Sequence, residues 1–310
     1  MTTAEPSKPI EFNRAIAPGF EAAAVAIWRL LFVRINDANA KTEGTYVQVV
    51  EARSSLRLDD RYLGRWRQGG LHVGALQAAV DALLTVKTIL EPVADGTAGL
   101  PMSGLYPIIR TAIESGSLAL YLLDPNDRDE RLRRTYWVAA DDASWLEKFA
   151  RSTGQQSSAR EDARARVREL VATRPSLGHP TAFGFQPIKY SDLVENADAA
   201  MAVDPATPAV QRMALLSWWQ LLSGLSHGKQ WAFMASMERS EAIVDEANQS
   251  AHVRLTSSAS AVALVLQQAV EVVEAALRLY GQRSKDAWAQ PEDAFEPPTV
   301  SYSELPDRSE

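Results

Sequence analysis

Apolar residues recur at helical spacing along most of the chain. Behind Pro18, the stretch Gly19 to Ala40 (GFEAAAVAIWRLLFVRINDANA) carries them every three or four positions, the signature of an amphipathic helix. The same period predicts a second helix from about Leu71 to Leu90. The Pro/Gly-rich connection EPVADGTAGLPMSGLYP then leads into a third, from about Pro107 to Leu123. Asp124-Pro125-Asn126-Asp127 reads as a helix start, with Asp124 as N-cap and Pro125 at the first helical position. The fourth helix that follows has Leu132, Tyr136, Ala139, Ala143, Leu146 and Ala150 on one face. Further helices are predicted at Ser158 to Thr173, Tyr190 to Met201, Pro208 to His227, Met237 to Gln249 and Ser257 to Tyr280, the last stopped by Gly281. Only Tyr46 to Val50 (YVQVV) reads as strand, and one strand makes no sheet. The expected fold is all-α, an irregular bundle of about eight helices spanning residues 18–283 as one domain, behind an N-terminal arm of residues 1–17.

Charge separates the body from its C-terminal end. The 310 residues carry 32 Lys and Arg against 39 Asp and Glu, a net charge of −7. From Ser284 to Glu310 seven acids face only Lys285 and Arg308, among four prolines, so residues 284–310 are expected to form a disordered acidic tail. The remainder is almost neutral, which argues against general nucleic-acid binding. The chain has no Cys, excluding disulfides, thiol nucleophiles and Cys-based zinc sites and fitting a reducing cytoplasm. Glu5, Pro6, Pro9 and Glu11 interrupt any export signal, and the uncharged stretches Met213 to Gly228 and Leu255 to Val270 fall short of a membrane span. Arg far outnumbers Lys and Ala is abundant, as in high-GC bacterial proteins.

Several motifs fail their context. Gly224-Leu225-Ser226-His227-Gly228 matches G-x-S-x-G, with Asp245 and His252 following in hydrolase order, but MALLSWWQLLS before it reads as helix where a nucleophile elbow needs a strand. Gly224 to Lys229 is one residue short of a phosphate loop, and Gln230 stands where Ser or Thr should bind magnesium. His72, His179, His227 and His252 all lack a Glu three residues earlier, so no di-iron pair exists. Glu238, Glu241 and Asp245 would share one helical face, better explained as a solvated acidic face than as a metal site; neither metal nor cofactor is expected. Glu271 and Glu274 read the same way, with Arg278 as surface partner of Glu274. Arg53, Arg57, Arg61 and Arg65 recur every fourth residue before Trp66 and Arg67, but Asp59 and Asp60 interrupt them, favouring a solvated face or internal ion pairs. Trp218, Trp219 and Trp231 are read as core.

Two polar stripes stand out. On the third helix Arg110, Glu114, Ser117 and Tyr121 fall within about 60° of arc, with apolar residues covering most of the rest. Arg110 needs a partner if buried, and Glu114 lies one turn away. The helix ending at Gly228 repeats the design with Arg212, Gln220, Ser223 and His227. There the helix dipole favours an imidazolium, whose ordinary pKa near 6.5 allows switching close to physiological pH. Each stripe is the polar seam of an apolar helix, so Arg110, Glu114, Tyr121, Gln220, Ser223 and His227 are predicted to meet in one partly buried cluster.

RTAIESGSLALYLLDP, the Arg-rich ERLRR and the later LSGLSHG together resemble uncharacterised all-helical bacterial proteins that share an R-x-x-x-E helix and a late Ser/His element. Those proteins sit loosely near the HEPN-like helical nucleases and abortive-infection proteins. The resemblance covers Tyr106 to Trp137 and Trp218 to Trp231. HEPN ribonucleases carry Arg, four to six residues, then His on a helix. Upstream of His227 stand Gln220, Leu221 and Leu222 instead, and only Arg174 to His179, a Pro/Gly loop, has the spacing. The expectation is a cytoplasmic, non-catalytic helical binding or regulatory protein whose partner is a second copy of itself or a small ligand between helices, with no membrane. The alternative implied by the resemblance is a metal-independent ribonuclease of stress or phage defence, with His227 as acid/base and Arg110 or Arg212 on the phosphate.

Overall fold

The computed structural model describes residues 19–43, 50–63, 68–178, 187–202, 214–245 and 250–285. Among these lie ten α-helices: α1 (Gly19–Thr42), α2 (Ser55–Leu63), α3 (Gln68–Ala94), α4 (Leu105–Leu123), α5 (Arg128–Ser152), α6 (Ala159–Thr173), α7 (Tyr190–Ala202), α8 (Leu215–Ser226), α9 (Gln230–Ser236) and α10 (Ala259–Ser284). The fold is an all-α multi-helix bundle, with one two-stranded ribbon inserted before α10. The N-terminal arm, Tyr46 to Val49 of the expected strand and all but the start of the acidic tail lie outside the described residues.

α4 is the central helix, packed against α3, α10, α7 and α8. Eleven of its nineteen residues are buried, because apolar side chains occupy nearly all of its circumference. Gly116 permits the approach of α10: a Cβ there would lie 2.8 Å from Val272 Cγ1. At the start of α4, Tyr106 Oη and Ser257 Oγ are 2.8 Å apart. At its end the open carbonyls meet arginines. Arg283 of α10 donates to Leu123 O, Asp124 O and Pro125 O, and Arg131 of α5 donates to Pro125 O and Asn126 O. Cations there complement the negative end of the helix dipole. Burial, then the nearby Arg131 charge, pull the Arg283 guanidinium below its usual pKa, against Asp59 and Asp124.

A second apolar cluster joins α2, α5 and α6 through Leu63, Leu132, Tyr136, Val167 and Leu170. Beside it Asp59, fully buried, takes Arg131 Nε at 2.7 Å and Nη2 at 3.2 Å, and Arg128 Nε at 3.0 Å. Arg131 is itself only 3% exposed. Asp59 is therefore an anchor and not an interruption of a surface stripe, while Arg53, Arg57 and Arg61 are exposed as a solvated face requires.

Several boundaries differ from the sequence reading. α5 starts three residues later than expected: Asp127, not Asp124, is its N-cap, accepting from Glu130 N at 3.2 Å. Asp124 caps the end of α4, because the carbonyls between the two helices are taken by Arg131 and Arg283. Ala214 is extended (ψ 138°), so α8 begins at Leu215 and is not continuous from Pro208; Asp198 of α7 accepts from its first N–H at 3.2 Å. α9 was unforeseen. Gly281 does not stop α10, which runs on to Ser284 with Gly281 buried inside it.

The clearest departure is Met237 to Gln249. Residues 246–249 lie outside the described residues, and the rest of the segment is not a helix: β1 (Met237–Asp245) pairs antiparallel with β2 (Ser250–Ser257), from Met237↔Ser257 to Asp245↔Ser250, with an irregularity between Ser240 and Ala242. Ile243, Val244, Val253 and Thr256 are β-branched and favour strand, which outweighs an i, i+3, i+7 spacing of acids.

Among the described residues, α3 and α10 are long and apolar enough to cross a membrane. Two thirds of the apolar window of α10 is buried in the bundle, as a core helix requires.

Candidate functional site

The α4 and α8 helices pack together, as their polar seams predicted, and four side chains meet where the seams cross. Glu114 Oε1 accepts from Arg110 Nε at 2.8 Å and from the indole Nε1 of Trp219 at 2.8 Å. The guanidinium carbon of Arg110 lies 5.5 Å from the centre of the Trp219 ring. Arg110 Nη1 is 3.3 Å from His227 Nε2. Arg110 and Glu114 are 21% and 17% exposed and His227 is exposed, so the cluster is rooted in the protein but opens to solvent at the histidine.

The sequence of the α8 terminus explains how His227 is held. His227 is the C-cap. Gly228 follows in the left-handed region (φ 65°), donating to Leu225 O at 3.2 Å, and Lys229 N donates to Gly224 O at 2.8 Å. These two bonds make a Schellman motif, which needs the glycine at 228. Gly224 has a different reason: a Cβ would come within 2.7 Å of Ala232 Cβ and 2.8 Å of Trp231 Cζ2 as α9 folds back over α8. The G-x-S-x-G pattern is thus a helix stop plus a close helix crossing. Ser226 Oγ donates to Leu222 O at 2.7 Å, within its own helix.

Three members of the predicted cluster lie elsewhere. Tyr121 stacks with Arg134 of α5, whose guanidinium carbon is 4.4 Å from its ring, and Arg134 Nη1 also donates to the Tyr121 carbonyl at 2.8 Å. Burial pushes its phenol pKa up, with Arg134 opposing. Tyr121 is eleven residues from Arg110, about 16 Å along the helix axis, beyond the crossing with α8. Gln220 is exposed, and Ser223 contributes only its carbonyl, which accepts from His227 N at 3.1 Å. Ser117 is fully buried in the core and joins no seam. Arg212 lies outside the described residues.

Sequence reasoning missed Trp219. Trp219, Ser223 and His227 are spaced four apart and so share one helix face, and a partly buried indole N–H needs an acceptor; that was the available signal. It also missed Tyr190, at the start of α7. Burial, then the charges of Glu114 and Asp141, raise the Tyr190 phenol pKa, with Arg110 opposing, which places it at the edge of the cluster. Trp231 is 55% exposed and not core.

The other candidates resolve into structural pairs. Glu274 is clamped by Arg34 of α1 (Nε–Oε1 2.8 Å, Nη2–Oε2 2.6 Å). Glu271 accepts from Gln267 and Gln268. Glu238, Glu241 and Asp245 lie on β1, so they do not have the helical spacing of a metal site. No group of three or more metal-ligating side chains occurs among the described residues.

Comparison with protein families, with characterised proteins and with solved structures finds no match to this chain.

Proposed function

We propose that this chain is a cytoplasmic, non-catalytic helical binding protein that takes an anionic group, a phosphate or carboxylate, at the Arg110–His227 pair. The observation that carries this reading is the 3.3 Å contact between a fixed guanidinium and an exposed imidazole. Glu114 and Trp219 hold Arg110 from the buried side, leaving Nη1 and the His227 ring toward solvent. An arriving anion replaces the weak Arg–His contact with charge-assisted bonds from the Arg110 guanidinium and a hydrogen bond from the His227 ring. The test is a titration of the protein with inorganic phosphate, following the His227 ring by NMR. Saturable shifts of the His227 ring signals, lost in Arg110→Ala, are the expected result; His227 signals indifferent to phosphate refute it.

A second reading, a metal-independent ribonuclease, draws on the same contact. Arg110 and His227 come from different helices and yet lie side by side, a pairing that could hold a phosphodiester and move the proton of its 2′-hydroxyl. Cleavage of single-stranded RNA in the presence of EDTA, abolished in His227→Ala, would favour the ribonuclease over the binding protein.

A further inference from the structure

The helices α2, α5 and α6 line a cavity of about 320 Å³ over the second apolar cluster. Its floor is Leu63, Tyr136 and Leu170, each at most 3% exposed. Its walls are fixed. Tyr136 Oη donates to Tyr62 O at 2.8 Å, and the Tyr62 ring lies under the Arg174 guanidinium at 5.0 Å, itself paired with Asp129. Burial pushes the Tyr136 phenol up to about 12, so this wall presents no negative charge at any ordinary pH.

The mouth is cationic. Arg61 is exposed and has no hydrogen-bond or ion-pair partner among the described residues. Among the described residues Arg166 is held by Glu169, at 2.8 Å, with the two side chains 50% and 65% exposed. Such a surface pair is worth about 0–1 kcal/mol and yields readily to a better acceptor. Arg61 also borders an adjoining hollow shared with Arg57, Asp60 and Ala52, so the two acids near the mouth, Asp60 and Glu169, face three arginines.

We infer that this cavity is a second ligand site, for a small amphiphilic anion: an aromatic or aliphatic body seated on Leu63, Tyr136 and Leu170, with its phosphate or carboxylate between Arg61 and Arg166. An apolar floor with a few converging polar groups is the usual make-up of ligand pockets, and the volume lies at the small end of their range of about 300–1,000 Å³, enough for a single substituted ring. The arginines suit the anion because a guanidinium grips a planar carboxylate or a phosphate through two parallel bonds. A wholly apolar ligand leaves Arg61 unused, and a bare inorganic anion leaves the floor unused.

The probe is phenyl phosphate, titrated by calorimetry into the full chain, with inorganic phosphate and benzyl alcohol as its two halves. Saturable binding is expected, about tenfold or more tighter than either half and weakened about tenfold in Arg61→Ala and in Arg166→Ala. Arg61 is exposed and the Arg166 side chain is half exposed, so these variants should fold, which circular dichroism checks. Arg61→Ala and Arg166→Ala should leave the response of the His227 ring to inorganic phosphate unchanged, which separates this site from the Arg110–His227 pair. No saturation below about 10 mM, or equal affinity in the Arg61→Ala/Arg166→Ala double variant, overturns the assignment. Inorganic phosphate binding as tightly as phenyl phosphate, and weakened equally in Arg61→Ala/Arg166→Ala, overturns it as well, since the apolar floor would then contribute nothing.

Discussion

Arg110 and His227, 117 residues apart in sequence, are brought to 3.3 Å by the crossing of α4 and α8. The contact depends on Glu114, which holds the guanidinium and the Trp219 indole through one carboxylate oxygen. Removing that carboxylate strands two donors at once. Because Arg110 and Glu114 keep 21% and 17% exposure, water recovers part of the loss, and the cost falls below that of a fully buried pair. Glu114→Ala should lose about 2 kcal/mol and Glu114→Gln, which still accepts, about half as much, measured by urea denaturation. Near-ultraviolet circular dichroism should change with Glu114→Ala as Trp219 is freed.

The Asp59–Arg131 pair should weigh more heavily. Both side chains are at most 3% exposed, so Asp59→Ala leaves a guanidinium buried without its counter-charge. A loss of about 3–5 kcal/mol is expected. The double variant Asp59→Leu/Arg131→Met should recover most of this, since a packed apolar pair avoids both desolvation penalties. Denaturation midpoints of the single and double variants decide it; equal losses in both would mean the charges are not the cause.

Two glycines of α8 act for different reasons and should respond differently to substitution. Gly228 needs a left-handed backbone, so Gly228→Ala should cost about 1–2 kcal/mol and Gly228→Asn less, because Asn tolerates that region. Gly224 is a steric limit: a methyl group meets Ala232 at 2.7 Å, and overpacking of about 1–3 kcal/mol is expected for both Gly224→Ala and Gly224→Asn, the latter no better. Thermal denaturation of the four variants separates the two mechanisms.

Stability should also depend on acid pH through Asp129. Burial opposes its charge, but hydrogen bonds from Ser176 and Arg174 and the charges of Arg174 and Arg133 outweigh this and hold its pKa below the ordinary carboxylate value. A depressed folded-state pKa stabilises the protein above the unfolded pKa, about 3.9, and the benefit disappears as pH falls through the folded value. Asp129→Asn should therefore be less stable than the parent by about 1–2 kcal/mol from pH 5 to 7, with the gap closing below about pH 4. A gap independent of pH would assign the loss to packing.

The polar seams show how far sequence alone reaches into the site. Helical period placed Arg110 and Glu114 on one line and His227 on another, because side chains four apart must share a face. It could not say at what height the lines cross, and Tyr121, on the correct face but two or more turns away, went to Arg134 of α5 instead. Trp219 was on the correct line too, but its apolar bulk suggested core, and only the geometry gave its N–H to Glu114.

The sequence by itself determined that the chain is helical, roughly where α1, α3, α4, α6, α7 and α10 run, and which helices carry a polar stripe, since these follow from local spacing and from the punctuation of Gly and Pro. Tertiary structure decided what local spacing cannot encode. It buried Asp59 beneath Arg131, moved the start of α5 to Asp127 by drawing the preceding carbonyls to two arginines, and carried α10 past Gly281. It also paired Met237–Asp245 with Ser250–Ser257 where acids at helical spacing had suggested another turn of helix. A periodic pattern fixes the direction a side chain faces; the partner it meets depends on residues far away in sequence, and their charges and hydrogen bonds decide between local alternatives that differ by about a kcal/mol.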